Sequence, residues 1–198
     1  MIKLTKLAIA LTAISSFTTV NANENITYGI QTSVGFGGDE IIENSTTSTI
    51  TSGDSISFGG FINTPILFSD FYGKISASYA FENQSYINAE ESFNRLPINF
   101  LLMRKSGDYS YGAGITYHLN PSYEITYTAG GKDIIDYDNA LGLVLEATKA
   151  IGSFGLDVGV QYTNIEYSGD DNKSDSNSFS LNEKADGSNI AVTLIKTF

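Results

Sequence analysis

His118 is the single histidine among 198 residues, and the chain has no cysteine. Imidazole catalysis must therefore pass through one position, while disulfides and thiolate metal sites are excluded. In extended backbone His118 shares a face with Thr116 and Asn120, and no nucleophile stands beside it in sequence. It reads as a histidine that hydrogen-bonds neighbouring segments, not as a general base. A second group comprises Lys74, Lys105, Glu146 and Asp157. Brought into one enclosed space, two cations and two carboxylates would pair, because an isolated buried charge is strongly destabilising. Paired carboxylates could also hydrolyse a glycoside, but that chemistry needs a substrate cleft and none is legible. The acidic runs form a third group: Asp39, Glu40 and Glu43; Glu90 and Glu91; Asp133, Asp136 and Asp138; Asp170, Asp171, Asp175, Glu183 and Asp186. Asp136-Tyr137-Asp138-Asn139 shares part of a calcium loop but lacks its glycine and bidentate glutamate, so solvated charge is expected there. Gly35-Phe36-Gly37-Gly38 precedes neither Lys-Ser/Thr nor a helix, which removes a phosphate-cradling loop. No catalytic residue, cofactor or metal is expected.

What these groups can do depends on the elements that hold them. The clearest is Tyr109–Asn120. Tyr109, Tyr111, Ala113, Ile115, Tyr117 and Leu119 fall on one face, with Ser110, Gly112, Gly114, Thr116, His118 and Asn120 on the other. A polar face of small residues backed by an apolar face with tyrosine at both ends fits a strand between lipid and a narrow lumen. Seven further segments repeat it: about Ile26–Gly37, Ser55–Asn63, Phe71–Glu82, Arg95–Arg104, Ala140–Lys149, Phe154–Tyr167 and Ser188–Phe198. A slip near Asn164 suggests a bulge. Links after the even-numbered segments are short. Those after the odd ones are long and polar: about Gly38–Asp54, Asn83–Asn94, Pro121–Asn139 and Ser168–Gly187. That alternation is expected of an outer-membrane barrel with short periplasmic turns and long outer loops.

The first 22 residues read as a signal peptide, with basic Lys3 and Lys6, an apolar run from Leu7 to Val20, and a cleavage site at Val20-Asn21-Ala22. Residues 23–198 would then form the barrel domain. Cleavage leaves nine basic against 22 acidic residues, a net charge of −13. Nucleic acid is excluded as a partner on sign. Charge placement sharpens the barrel reading. On the apolar faces the only charges are Arg104, Lys149 and Lys196, each at the periplasmic end of a downward strand, where a long cation can snorkel. Lys74, Glu146 and Asp157 face inward in the periplasmic half, with Lys105 at the bottom of its strand. They are either a selectivity or gating cluster or the polar filling of a barrel too narrow for open water. Tyr28, Phe71, Tyr109, Tyr111, Phe154 and Phe198 would form one interfacial belt, and Phe36, Tyr79, Phe81, Tyr117 and Tyr162 the other.

On these residues the mature chain resembles the small eight-stranded outer-membrane barrels of Gram-negative bacteria, the group of outer membrane protein X and the transmembrane domain of outer membrane protein A. The resemblance implies an all-β, eight-stranded antiparallel up-and-down transmembrane barrel in the outer membrane. Ile190, Val192, Leu194 and Phe198 alternate to the last residue, similar to the C-terminal signal read by the barrel-assembly machinery. Lys196 departs from that pattern. Lipid A deacylases of this class carry a His-x-Ser pair, whereas this chain reads His118-Leu119-Asn120, so the nucleophile is missing. The expectation is a monomeric, non-enzymatic barrel in contact with outer-membrane lipid and lipopolysaccharide. It would act through acidic loops on an unidentified partner, with weak divalent bridging to lipopolysaccharide phosphates. The alternative is a narrow channel for ions or small polar solutes.

Overall fold

The computed structural model describes residues 26–41, 50–66, 70–173 and 184–198, with the side chains of 170–173 left aside. The signal-peptide segment, Glu43, Asp175 and Glu183 lie outside these residues. Among the described residues there is no helix. Eleven strands follow in order: β1 (Thr27–Gly37), β2 (Ser55–Pro65), β3 (Phe71–Ser85), β4 (Ala89–Ser106), β5 (Tyr109–Tyr127), β6 (Lys132–Tyr137), β7 (Ala140–Ile151), β8 (Leu156–Asn164), β9 (Glu166–Lys173), β10 (Lys184–Asp186) and β11 (Asn189–Thr197).

Eight of them close a barrel. Neighbours pair antiparallel from β1 through β5, then β5 with β7, β7 with β8, β8 with β11, and β11 back to β1. The last seam runs from Gly29 opposite Thr197 to Gly37 opposite Asn189, so neither terminal strand is left as an edge. Closure matters because hydrocarbon offers no partner to an unpaired backbone group.

Burial runs opposite to that of a water-soluble protein. Val34, Phe58, Leu102, Leu143, Val160 and Val192 are exposed around the outside, whereas Gln31, Ser57, Ser76, Asn99, Thr148 and Thr193 are buried inside. An apolar surface of this extent signals a lipid environment. At its periplasmic edge Arg104 lies 5.6 Å from the Phe71 ring centroid, Lys149 5.3 Å from Tyr109 and Lys196 5.6 Å from Phe198. The three outward cations thus rest on rim aromatics, burying their stems while their charges reach the interface. Two inward glycines make room within the narrow lumen. A Cβ on Gly29 would stand 2.6 Å from the Phe61 ring, and one on Gly112 would stand 2.5 Å from Met103 Sδ.

Three of the four long links differ from the expectation of polar loop. The upper halves of β3, β4 and β5 continue the sheet beyond the lipid band, joined by β6, β9 and β10. Segments expected as Asn83–Asn94, Pro121–Asn139 and Ser168–Gly187 therefore contribute strands. The first link bends in to meet them: Asp39 N–H donates to the Asp186 carbonyl at 2.8 Å, and Ser52 Oγ donates to the same oxygen.

Candidate functional site

The lumen is layered. At the periplasmic mouth a vestibule of about 430 Å³ is lined by Tyr72, Lys105, Ser110 and Asp157, among others. Above it the bore is filled. Lys74 Nζ donates to Glu146 Oε1 at 2.7 Å, and both side chains are only 3% exposed. Lys74 also lies 5.1 Å from the Phe61 ring centroid. Leu101, Met103 and Val144 pack together at this level, with Tyr72 against them. The four charges singled out in the sequence are therefore split between two levels. Lys74 and Glu146 form a desolvated pair. Lys105 and Asp157 sit at the mouth, and neither joins an ion pair among the described residues.

Above the pair is a small polar chamber of about 30 Å³, touched by Gln31, Ser57, Asn99, His118 and Arg95. Its ceiling is apolar. Ile41, Ile50, Phe93, Tyr123, Ile125, Ile135, Tyr137, Ile165, Tyr167 and Ala185 form one buried cluster inside the outer extension. Phe93 sets its edge against Tyr167 at 5.7 Å and Tyr137 at 6.2 Å. His118 belongs to the floor of this cluster, its Nδ1 2.6 Å from the Tyr167 hydroxyl. Burial pushes the Tyr137 hydroxyl up to about 12, so it stays neutral in the ceiling.

Two local features build the ceiling. Along β5 the inward residues are even-numbered as far as His118, but Pro121, Tyr123 and Ile125 are the buried ones above it. The switch occurs at Asn120, whose φ of 47° makes it the only non-glycine residue with positive φ among those described. With Pro121 it stands between the pairs Asn94–Ser122 and Leu96–Leu119, two residues of β5 opposite Arg95 alone. Asparagine tolerates this conformation better than most residues. The expected slip near Asn164 is a different matter. Facing does not change there: Thr163, Ile165 and Tyr167 are all buried, continuing the inward parity of β8. What changes is the chemistry of the inward face, from polar in the lumen to apolar in the ceiling.

Glu82 supports the clasp between β3 and the first link. Burial chiefly, with the nearby Asp54 charge, pushes its carboxyl up to about 7, against the opposing pull of Arg95 and the Thr51 backbone N–H. A carboxyl raised from an unfolded value of 4.5 keeps its proton in the folded state after the unfolded chain has lost it. Stability should therefore fall as pH rises from about 4.5 to 7, by about 1–2 kcal/mol once half-exposure to solvent is discounted. Urea unfolding of Glu82→Gln across that range should lack this component and exceed the wild type at pH 8.

Sequence reasoning missed Arg95, which is 2% exposed beneath the ceiling. It opens the segment Arg95–Arg104 with the same parity as buried Asn99, Leu101 and Met103, but stands apart from the lumen charges Lys74, Glu146 and Asp157. Among the described residues no three His, Asp or Glu side chains converge as metal ligands.

Closed strand circuit, apolar exterior and polar, filled interior together define an eight-stranded outer-membrane β-barrel. No protein-family model matches the chain, and no curated protein matches it in sequence. Among solved structures it is similar to Ail, the attachment invasion locus protein of Yersinia pestis. The crystal structure of Ail with the heparin analogue sucrose octasulfate aligns at TM-score 0.53 and 8% identity, covering 88% of this chain and 97% of that one. A second crystal structure of Ail aligns at TM-score 0.52 and 7% identity, with the same coverage. At that identity the likeness is one of fold.

Proposed function

We propose that the protein is exported by cleavage after Ala22 and inserted as a monomer into the bacterial outer membrane. There it acts as a structural or surface-interaction protein through its acidic outer extension, without enzymatic chemistry. One observation carries this reading: the lumen is blocked twice, by the Lys74–Glu146 layer and by the aromatic ceiling, while the extension beyond the membrane is itself folded. A conduit would require both layers to part. Assembly is assigned to the outward-facing Ile190, Val192, Leu194 and Phe198, all exposed along the last strand and offered to the barrel-assembly machinery. Outer-membrane lipid and lipopolysaccharide would surround the apolar band, with divalent cations bridging loop carboxylates to lipopolysaccharide phosphates.

The outer segments carry many carboxylates, relieved only by Lys132, Lys173 and Lys184. That sign favours a cationic partner surface. The heparin analogue bound by Ail is a polyanion, so its class should not bind here. Retention on immobilised heparin at low salt would contradict the electrostatic part of the proposal. For the interaction role, a photo-crosslinking residue at Ile87, 95% exposed at the β3–β4 tip, or at exposed Asp138 is the direct test in living cells. Discrete protein adducts from these tips are expected. Their absence at both would count against a partner-binding platform.

A further inference from the structure

Arg95 has no carboxylate within ion-pair distance among the described residues, although it is almost wholly buried. Its Nη2 donates to the carbonyls of Gly53 at 3.2 Å and Asp54 at 3.4 Å. Its Nε and Nη1 are buried with no hydrogen-bond partner. The guanidinium lies 5.0 Å from the Phe93 ring centroid, which fixes its plane beneath the ceiling. It also lines the polar chamber, together with hydroxyls and amides such as Ser57, Ser78, Asn99 and Asn189.

The electrostatics of that chamber are one-sided. Its carboxylate is Glu146, already paired with Lys74 at 2.7 Å. Glu82 lies near enough to feel Arg95, but its carboxyl is pushed up to about 7 and forms no ion pair with it. The Asp54 carboxylate accepts from the Gly37 N–H, so no counter-charge is in contact with Arg95. Water could solvate it but not neutralise it. Space is also limiting: about 30 Å³ accommodates roughly two water molecules, which admits a small halide and excludes a phosphate or an organic acid.

We infer that the chamber is a binding site for one small monovalent inorganic anion of chloride size, held by the Nε and Nη1 hydrogens of Arg95 and by hydroxyl and amide donors of the surrounding strands. The anion is structural: it completes the lumen between the Lys74–Glu146 layer and the aromatic ceiling.

The test uses the full mature barrel refolded in detergent with chloride, bromide or gluconate as the only anion, at equal ionic strength. Gluconate is too large for the chamber. The wild type should unfold several degrees higher in either halide than in gluconate, and Arg95→Gln should remove that difference. Crystals grown from bromide-refolded protein should show anomalous density in contact with Arg95. If Arg95→Gln does not fold, the bromide density alone decides. Halide-independent unfolding of the wild type, a halide effect that survives in Arg95→Gln, or a chamber without bromide density would overturn the proposal.

Discussion

Glu146→Leu should destabilise the barrel by about 3–5 kcal/mol. Its cause is the ammonium left behind. Lys74 is 3% exposed, its carboxylate partner is 2.7 Å away, and the neighbouring Phe61 face cannot replace a counter-charge. Lys74→Met should cost a similar amount by stranding Glu146. The double variant, Lys74→Met with Glu146→Leu, should recover to within about 1 kcal/mol of the wild type, because an apolar pair of similar volume carries no desolvation penalty. Equilibrium urea unfolding from lipid vesicles measures all three. Additive losses in the double variant would mean that the pair is not the unit of stability at this level.

Phe93→Ala should cost about 3–5 kcal/mol as well, but in a different place. Phe93 is fully buried between Tyr137 and Tyr167, beyond the lipid band. Removing its ring opens a cavity in the ceiling while leaving the paired strands in the membrane intact. Hydrogen exchange should accelerate in β6, β9 and the upper part of β5, with the lipid-crossing parts of β1, β2 and β11 still protected. Uniform acceleration would show that extension and barrel unfold as one unit. Tyr167→Phe makes a finer cut. It keeps the ring but strands His118 Nδ1, a loss of about 1–3 kcal/mol for an unsatisfied buried group.

The membrane-embedded half of this architecture is written plainly in the sequence because one face of every strand must meet hydrocarbon. Period two alone places Ile115, Tyr117, Leu143 and Leu145 outside and Gly112, Thr116 and Glu146 inside, and the structure has them there. Snorkelling cations at strand ends are legible for the same reason. Beyond the lipid the rule changes. Inward positions become apolar, so Ile165 and Tyr167 look like a slip when they are a continuation. At Asn120 the alternation itself shifts by one, which hides Tyr123 and Ile125 from a reading that carries the lower register upward. Ile41 and Ile50 reach the same ceiling from a link whose composition looks polar. Their burial depends on contacts distant in sequence, such as that between Asp39 and Asp186. Arg95 shares the inward parity of Asn99, Leu101 and Met103, so its direction is legible. What is not legible is the apolar ceiling that buries it, since Phe93 and its partners lie beyond the lipid pattern.

The Lys74–Glu146 layer and the aromatic ceiling close the lumen, and the proposed role at the outer surface rests on that closure. Single-channel recording of the refolded wild type in a planar bilayer, beside Glu146→Gln/Asp157→Asn, tests it most directly. A closed lumen predicts a silent wild type. Steady wild-type conductance that responds to those two substitutions would contradict it and make the Lys74–Glu146 layer a gate.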